Sequence, residues 1–193
     1  MTISLNIFTK CPFTGNPKTR MNEVLNLDER RFISKIMIEN ILQETNKLSK
    51  NIKVYLWVYP NYNHIFFKKL KNKHDIYLKK QYGINLSERM KHCLKEQSSL
   101  TKKTLLVGSD LPTLNYTIIN DALNILKSND YVIGPSKDGG FYLLGFNGRY
   151  KHIIKGEALF YKNIVKNIKS LSLSLGEVKK IKDIDYPNDL LTI

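Results

Sequence analysis

Cysteine is scarce in this chain, with only Cys11 and Cys93 among 193 residues. Two thiols so far apart give neither the close spacing of a metal site nor a disulfide framework, and reduced thiols in a cytoplasm are the simplest expectation. The four histidines, His64, His74, His92 and His152, show no ligand spacing. No Ser/His/Asp or Cys/His pattern of nucleophilic catalysis stands out. No apolar run approaches the ~20 residues needed to cross a bilayer. The chain passes straight from Met1 into Ile3-Ser4-Leu5-Asn6-Ile7-Phe8, with no basic leader or small-residue cleavage site, so no secretory signal is expected. Internal repeats and low-complexity linkers are missing too. The length suits one well-filled domain over residues 1–193.

Acidic residues are the other shortage. The sequence holds 17 Asp and Glu against 31 Lys and Arg, a formal net charge of +14. A basic balance can serve nucleic acid, a membrane surface or an anionic substrate. Here the lysines are scattered, as in Phe67-Lys68-Lys69-Leu70-Lys71-Asn72-Lys73 and Val178-Lys179-Lys180-Ile181-Lys182. There is no helix-turn-helix pattern, zinc-finger spacing or aromatic ribonucleoprotein signature. No specific nucleic-acid partner is expected, and attraction of phosphorylated small molecules is compatible with the charge.

With 42% hydrophobic and 25% charged residues, the chain has an ordinary globular composition. Apolar runs predict strands over 4–8, 53–59, 104–108, 131–134 and 141–146, with weaker ones over 75–78 and 177–180. Helical spacing predicts helices from an Asp28 N-cap to about Leu48, over 86–96, 116–127 and 157–170, a short one after 61, and a last turn at 187–190. Strands alternating with helices imply an α/β fold with a mostly parallel sheet covered on both faces.

Three segments carry the chemistry. In Lys10-Cys11-Pro12-Phe13-Thr14-Gly15-Asn16-Pro17-Lys18-Thr19-Arg20, bends at Pro12, Gly15 and Pro17 present Lys10, Lys18 and Arg20 just after a strand. Such a loop suits phosphates, and it also suits a solvated surface. It is not a Walker A loop, because Pro17 stands where the second glycine is required. In Gly108-Ser109-Asp110-Leu111-Pro112, Asp110 closes an apolar strand. It could bind Mg²⁺ or Mn²⁺, or simply cap the turn or the helix after Asn115. In Gly134-Pro135-Ser136-Lys137-Asp138-Gly139-Gly140, the Asp-Gly pair signals a hairpin. The same glycines would admit a ligand, Asp138 would offer it a carboxylate, and Tyr142 would help form a wall. Near Gly83, Glu88 and Arg89 open a helix where they could pair or touch ligand. Asp183 and Asp185 lie near the end, and Asp185 is a candidate second metal ligand.

Taken in order, Lys-x-Pro-x-x-Gly-x-x-Lys-Thr-Arg, Gly-Ser-Asp-x-Pro-x-Leu, Gly-Pro-x-x-Asp-Gly-Gly-Phe-Tyr-Leu-Leu-Gly and Asp-x-Asp-x-Pro-x-Asp-Leu span nearly the whole chain. They resemble a bacterial family of GT-A-like transferases first described as a domain of unknown function. Its members are labelled glycosyltransferases with radical-SAM or selenoprotein partners, including arsenosugar biosynthesis. More distantly, the chain is similar to 2-phospholactate and molybdenum-cofactor guanylyltransferases. The resemblance implies a three-layer α/β/α nucleotide-diphospho-sugar transferase fold. It places Lys10, Gly15, Lys18 and Arg20 at nucleotide phosphates, with Gly83 in the family's Gly-Asp-Leu-Gly-Glu-Arg-Met stretch, where Asn85 and Ser87 depart from the pattern. Asp110 becomes the metal-binding acid, without an Asp-x-Asp motif. Asp138, Gly139, Gly140 and Tyr142 would line the donor or acceptor pocket, with Asp138 and Arg20 acting in catalysis. The leading expectation is metal-assisted sugar transfer from a nucleotide sugar to a small acceptor. The alternatives are nucleotidyl transfer with loss of pyrophosphate, or a non-catalytic nucleotide-binding module.

Overall fold

The computed structural model describes residues 2–14 and 16–181. Seven strands form one sheet: β1 (Ile3–Lys10), β2 (Ile52–Tyr59), β3 (Ile76–Lys80), β4 (Lys103–Gly108), β5 (Tyr131–Pro135), β6 (Phe141–Asn147) and β7 (Leu175–Glu177). Their spatial order is β3-β2-β1-β4-β6-β5-β7. β1 pairs in parallel with both β2 and β4, while β6 runs antiparallel to its neighbours β4 and β5. One reversed strand in a parallel-running sheet meets the mostly parallel expectation.

Among the described residues, five α-helices cover the two faces: α1 (Leu27–Thr45), α2 (Ile65–Lys73), α3 (Leu86–Leu100), α4 (Tyr116–Ile125) and α5 (Tyr161–Ser170). Alternation along the strands decides which face each side chain enters. Leu5, Ile7, Val54, Leu56, Leu105 and Val107 pack with Ile38, Phe67 and Ile119, so α1, α2 and α4 share one layer. Tyr55, Trp57, Leu106 and Ile133 pack with Met90, Leu94 and Ile164 on the other, beneath α3 and α5. No helix among the described residues is long and apolar enough to cross a membrane.

Local chemistry moves several boundaries. Asn26, not Asp28, caps α1: its side chain accepts from the Asp28 and Glu29 amides, and Glu29 returns a bond to the Asn26 amide. That reciprocal capping box outcompetes a single aspartate two residues later. α5 begins at Tyr161 rather than 157, because tertiary bonds hold the preceding residues in a loop. Ser87 Oγ donates to the Gly156 carbonyl, and Asn85 Nδ2 donates to Glu157 Oε1 at 2.8 Å. The last described strand is Leu175–Glu177, earlier than the expected 177–180. The expected turn at 187–190 lies outside the described residues.

Beneath β1 and β4 a polar thread crosses the second core. Trp57 Nε1 donates to Asn6 Oδ1 at 2.9 Å, and Asn6 Nδ2 donates to Ser4 Oγ at 3.2 Å. Ser4 and Thr104 both meet the Thr101 hydroxyl at 3.1 Å. Gln97 is fully buried, yet neither polar atom of its side-chain amide has a protein partner. Leaving such groups unpaired costs about 1–3 kcal/mol each. Gln97→Met, similar in length and free of that amide, is therefore expected to raise unfolding stability by about 1 kcal/mol. A urea midpoint that stays level or falls would refute this account of the residue.

Candidate functional site

The chain winds from β1 outward through β2 and β3, then returns to build β4 on the opposite side of β1. The crevice beyond the carboxyl ends of β1 and β4 is thus a topological switch point, where open α/β sheets bind ligands. A cleft of about 480 Å³ opens there. Lys10 at the end of β1, the Pro17–Arg20 stretch, and Gly108, Ser109 and Asp110 after β4 all line it. Arg20 and Asp110 therefore share one site, although 90 residues of sequence separate them.

The basic loop is fixed at both ends. At its start the Cys11 amide donates to the Tyr59 carbonyl at 2.7 Å, and Phe13 stacks on His64 with ring centres 4.0 Å apart. At its end Arg30, buried in the first turns of α1, donates from Nη1 to the Pro17 carbonyl at 3.0 Å and to the Asn16 side chain. Lys18 follows in the left-handed region at φ 50° and ψ 46°. A non-glycine residue there is uncommon and points to a positional demand. Its side chain is 9% exposed and forms an ion pair with Asp110, Nζ to Oδ2 at 3.6 Å, whose own side chain is 45% exposed. Gly15 lies outside the described residues.

Asp110 does not cap α4. Asn115 does, its Oδ1 accepting the Ile118 amide at 3.1 Å. The Asp110 carboxylate folds back over Gly108, where an added Cβ would meet Oδ1 at 2.8 Å. Glycine at 108 is what leaves room for this acid at the lip.

A second cavity of about 250 Å³ adjoins the first, and Phe8, Leu86, Gly108 and Asp110 belong to both. Because β6 runs backwards beside β4, with Leu143 opposite Val107, its first residues arrive at the same rim. Asp138, Gly140 and Tyr142 line this cavity. The segment is also the hairpin its sequence suggested, with β5 and β6 pairing across it, so turn and pocket wall coexist. Asp138 Oδ1 accepts the Gly140 amide at 2.9 Å. Tyr142 is buried, and its hydroxyl donates to the Lys179 carbonyl at 2.8 Å, which makes it a wall rather than a reacting group. Gly139 lines a separate hollow beside Tyr161. The Tyr161 phenol is pushed up to about 12, chiefly because it donates to the Glu177 carboxylate.

Gly83 lines neither cavity. At φ 139° it brings the turn against α3, where an added Cβ would sit 2.7 Å from Glu88 Cβ and 2.8 Å from the Arg89 nitrogen. Glu88 accepts the Ile84 amide at 2.9 Å, while Arg89 lies 3.7 Å over the Tyr59 ring and lines the main cleft. Asp185 lies outside the described residues. Among those described, no cluster of three or more His, Cys, Asp or Glu could cage a metal. A Mg²⁺ or Mn²⁺ carried on nucleotide phosphates needs only one or two carboxylates, completing its shell with phosphate and water. The hard oxygens of Asp110, open at the junction of the two cavities, fit that kind of ion.

Two residues gained importance only with the fold. Arg30 holds the basic loop, and its one sequence signal is a charge on the inward stripe with Met37 and Ile41. Gln81, buried at the rim, donates from Nε2 to the Thr9 and Trp57 carbonyls at 3.1 and 2.8 Å, lacing β1 to β2.

A family model described as an uncharacterized protein conserved in bacteria (DUF2064) matches residues 42–161. The chain belongs to DUF2064. Beyond DUF2064, it is 26% identical over 176 residues to the 2-phospho-L-lactate guanylyltransferase of Methanocaldococcus sp. (strain FS406-22), covering 90% of this chain and 74% of that one. It is also 26% identical to the Methanobrevibacter smithii protein of the same name, over 64% of this chain, and spans about half of that relative's length (53%). A Desulfovibrio desulfuricans G20 structure assigned to the nucleotide-diphospho-sugar transferases superposes with a TM-score of 0.85 at 27% identity, covering 96% of this chain and 84% of that chain. Glucosyl-3-phosphoglycerate synthase from Mycobacterium tuberculosis, solved with Mn²⁺ and UDP, shares the fold at a TM-score of 0.62 and 8% identity, over 99% of this chain and 75% of that one. This DUF2064 chain thus has the three-layer fold of nucleotide-diphospho-sugar and nucleotidyl transferases.

Arg30→Ala should free the loop by removing the bonds to Asn16 and Pro17. Losing a charged hydrogen bond, about 1.5–3 kcal/mol, should speed tryptic cleavage after Lys18 and Arg20 about tenfold or more. Cleavage at the wild-type rate would show that the loop is held by something else.

Proposed function

We propose that this protein is a nucleotidyltransferase, moving a nucleoside monophosphate from a nucleoside triphosphate to the hydroxyl of a small acceptor. The observation that carries the proposal is the pair of adjoining cavities that share Asp110. One is bordered by Lys10, Lys18, Arg20 and Arg89, and the other by Asp138. Two compartments meeting at one carboxylate suit a donor and an acceptor that must come into contact. The guanylyltransferase activity named for both archaeal relatives supports attack on the α-phosphorus of a nucleoside triphosphate and makes GTP the first donor to test. 2-Phospho-L-lactate has no free hydroxyl, so the hydroxyl acceptor rests on this chain's own second cavity.

In this reading Lys10, Lys18 and Arg20 bind the triphosphate and offset its charge as it shifts toward the leaving group. Asp110 would hold a divalent ion, Mg²⁺ or Mn²⁺, which supplies Lewis-acid polarisation of the phosphate oxygens. Lys18 passes from Asp110 to a phosphate oxygen when the nucleotide enters. Asp138, its carboxylate fixed by the Gly140 amide, orients the acceptor hydroxyl and takes its proton. The acceptor oxygen forms a bond to the α-phosphorus, the bond between that phosphorus and the α–β bridging oxygen breaks, and pyrophosphate leaves with the electron pair.

Sugar transfer from a nucleotide sugar is the second reading, favoured by the likeness to the Desulfovibrio protein. It uses the same basic cleft but releases a nucleoside diphosphate. Incubation with labelled nucleoside triphosphates and nucleotide sugars, with Mg²⁺ or Mn²⁺, separates the two by product. Pyrophosphate is the expected one, and nucleoside diphosphate alone would replace the proposal with sugar transfer. Asp110→Asn should lower metal-dependent turnover by at least about 100-fold with the fold retained. Undiminished turnover in that variant would remove Asp110 from the reaction.

A further inference from the structure

The two cavities differ sharply in charge. The main cleft gathers Lys10, Lys18, Arg20 and Arg89. The second cavity, among the described residues, gathers no cation at all. Its walls are apolar, from Leu106, Leu111, Phe141 and Leu159 among others, and among the described residues its charged members are Asp110 and Asp138. At about 250 Å³ the cavity is roughly half the volume of the main cleft, which suits a small occupant.

We infer that the acceptor carries no anionic group and consists of a compact apolar body bearing a hydroxyl. This rests on the nucleotidyl reading and narrows it. A phosphate or carboxylate in this cavity would leave water to face hydrocarbon and the Asp138 carboxylate, while Lys18, paired with Asp110 at 3.6 Å, lines the main cleft and not this cavity. An apolar body instead displaces water from Leu111, Phe141 and Leu159, and its hydroxyl donates to Asp138. The relatives' name specifies an acceptor that is both a phosphate ester and a carboxylate. This chain differs from them in the acceptor it accommodates.

A matched pair of probes isolates the charge: 3-phenyl-1,2-propanediol and 3-phenyllactate share a body and differ in a hydroxymethyl against a carboxylate. 2-Phospho-L-lactate is the third probe. Each is titrated by ligand-observed NMR into the full chain saturated with Mg²⁺ and a non-hydrolysable GTP analogue. The diol is expected to bind at least tenfold more tightly than either anion, about 1.4 kcal/mol. Leu159→Lys, or Phe141→Lys should the first variant fail to fold, is expected to invert that preference. Equal or tighter binding of either anion by the wild type overturns the inference, as does failure of the diol to bind. The donor reading is checked separately, by the thermal shift with Mg²⁺ and GTP and by the product released with GTP. Nucleoside diphosphate in place of pyrophosphate would sink that reading while leaving the preference for an uncharged acceptor in place.

Discussion

The cleft hangs on the parallel pairing of β1 with β4, which sets Ile7 beside Val107 and Phe8 beside Gly108. Both strands run in the same direction, and β4 ends level with Phe8, two residues before β1 ends at Lys10, so Lys10 and Asp110 emerge at the same rim. The pairing is buried on both faces, under α1 and α4 on one side and α3 on the other. A one-residue slip would move Leu5, Ile7, Leu105 and Val107 out of their core and is excluded by that burial. The rim therefore inherits the rigidity of the centre of the sheet, and only the basic loop needs fastening of its own.

The reversed strand β6 completes the site. In an all-parallel sheet its start would lie at the opposite edge from the cleft. Running antiparallel, it delivers Asp138 and Phe141 to the rim shared by β1 and β4. The hairpin that reverses the chain also forms the wall of the second cavity. This divides one crevice into a basic half and an apolar, acidic half, with Asp110 on the border.

Much of this was legible in the sequence. Uninterrupted apolar runs such as Thr104-Leu105-Leu106-Val107-Gly108 announce buried strands, and the residues just past them were natural places to look for Lys18, Arg20, Asp110 and Asp138. Contacts between distant segments were not legible. The helix start at 157 was displaced by bonds from Asn85 and Ser87, residues some 70 positions away. Arg30 and Gln81 act through backbone carbonyls of other elements, which no residue spacing reveals. Gly83 was placed at the phosphates by resemblance, whereas its close packing explains it through the approach of a turn to a helix. The partition of charge between the two cavities depends on which walls face each other, and the linear order of residues hides it.

The backbone at Lys18 has one more consequence. A left-handed conformation costs a side-chain-bearing residue about 1–2 kcal/mol, and glycine would adopt it without that penalty. The fold sustains this local tension instead of relaxing it, through the grip of Arg30 on the two residues just before. Ease of folding and possession of an ammonium group compete at this one position. The protein gives up some thermodynamic comfort and holds a positive charge fixed beside Asp110 at the lip of the cleft.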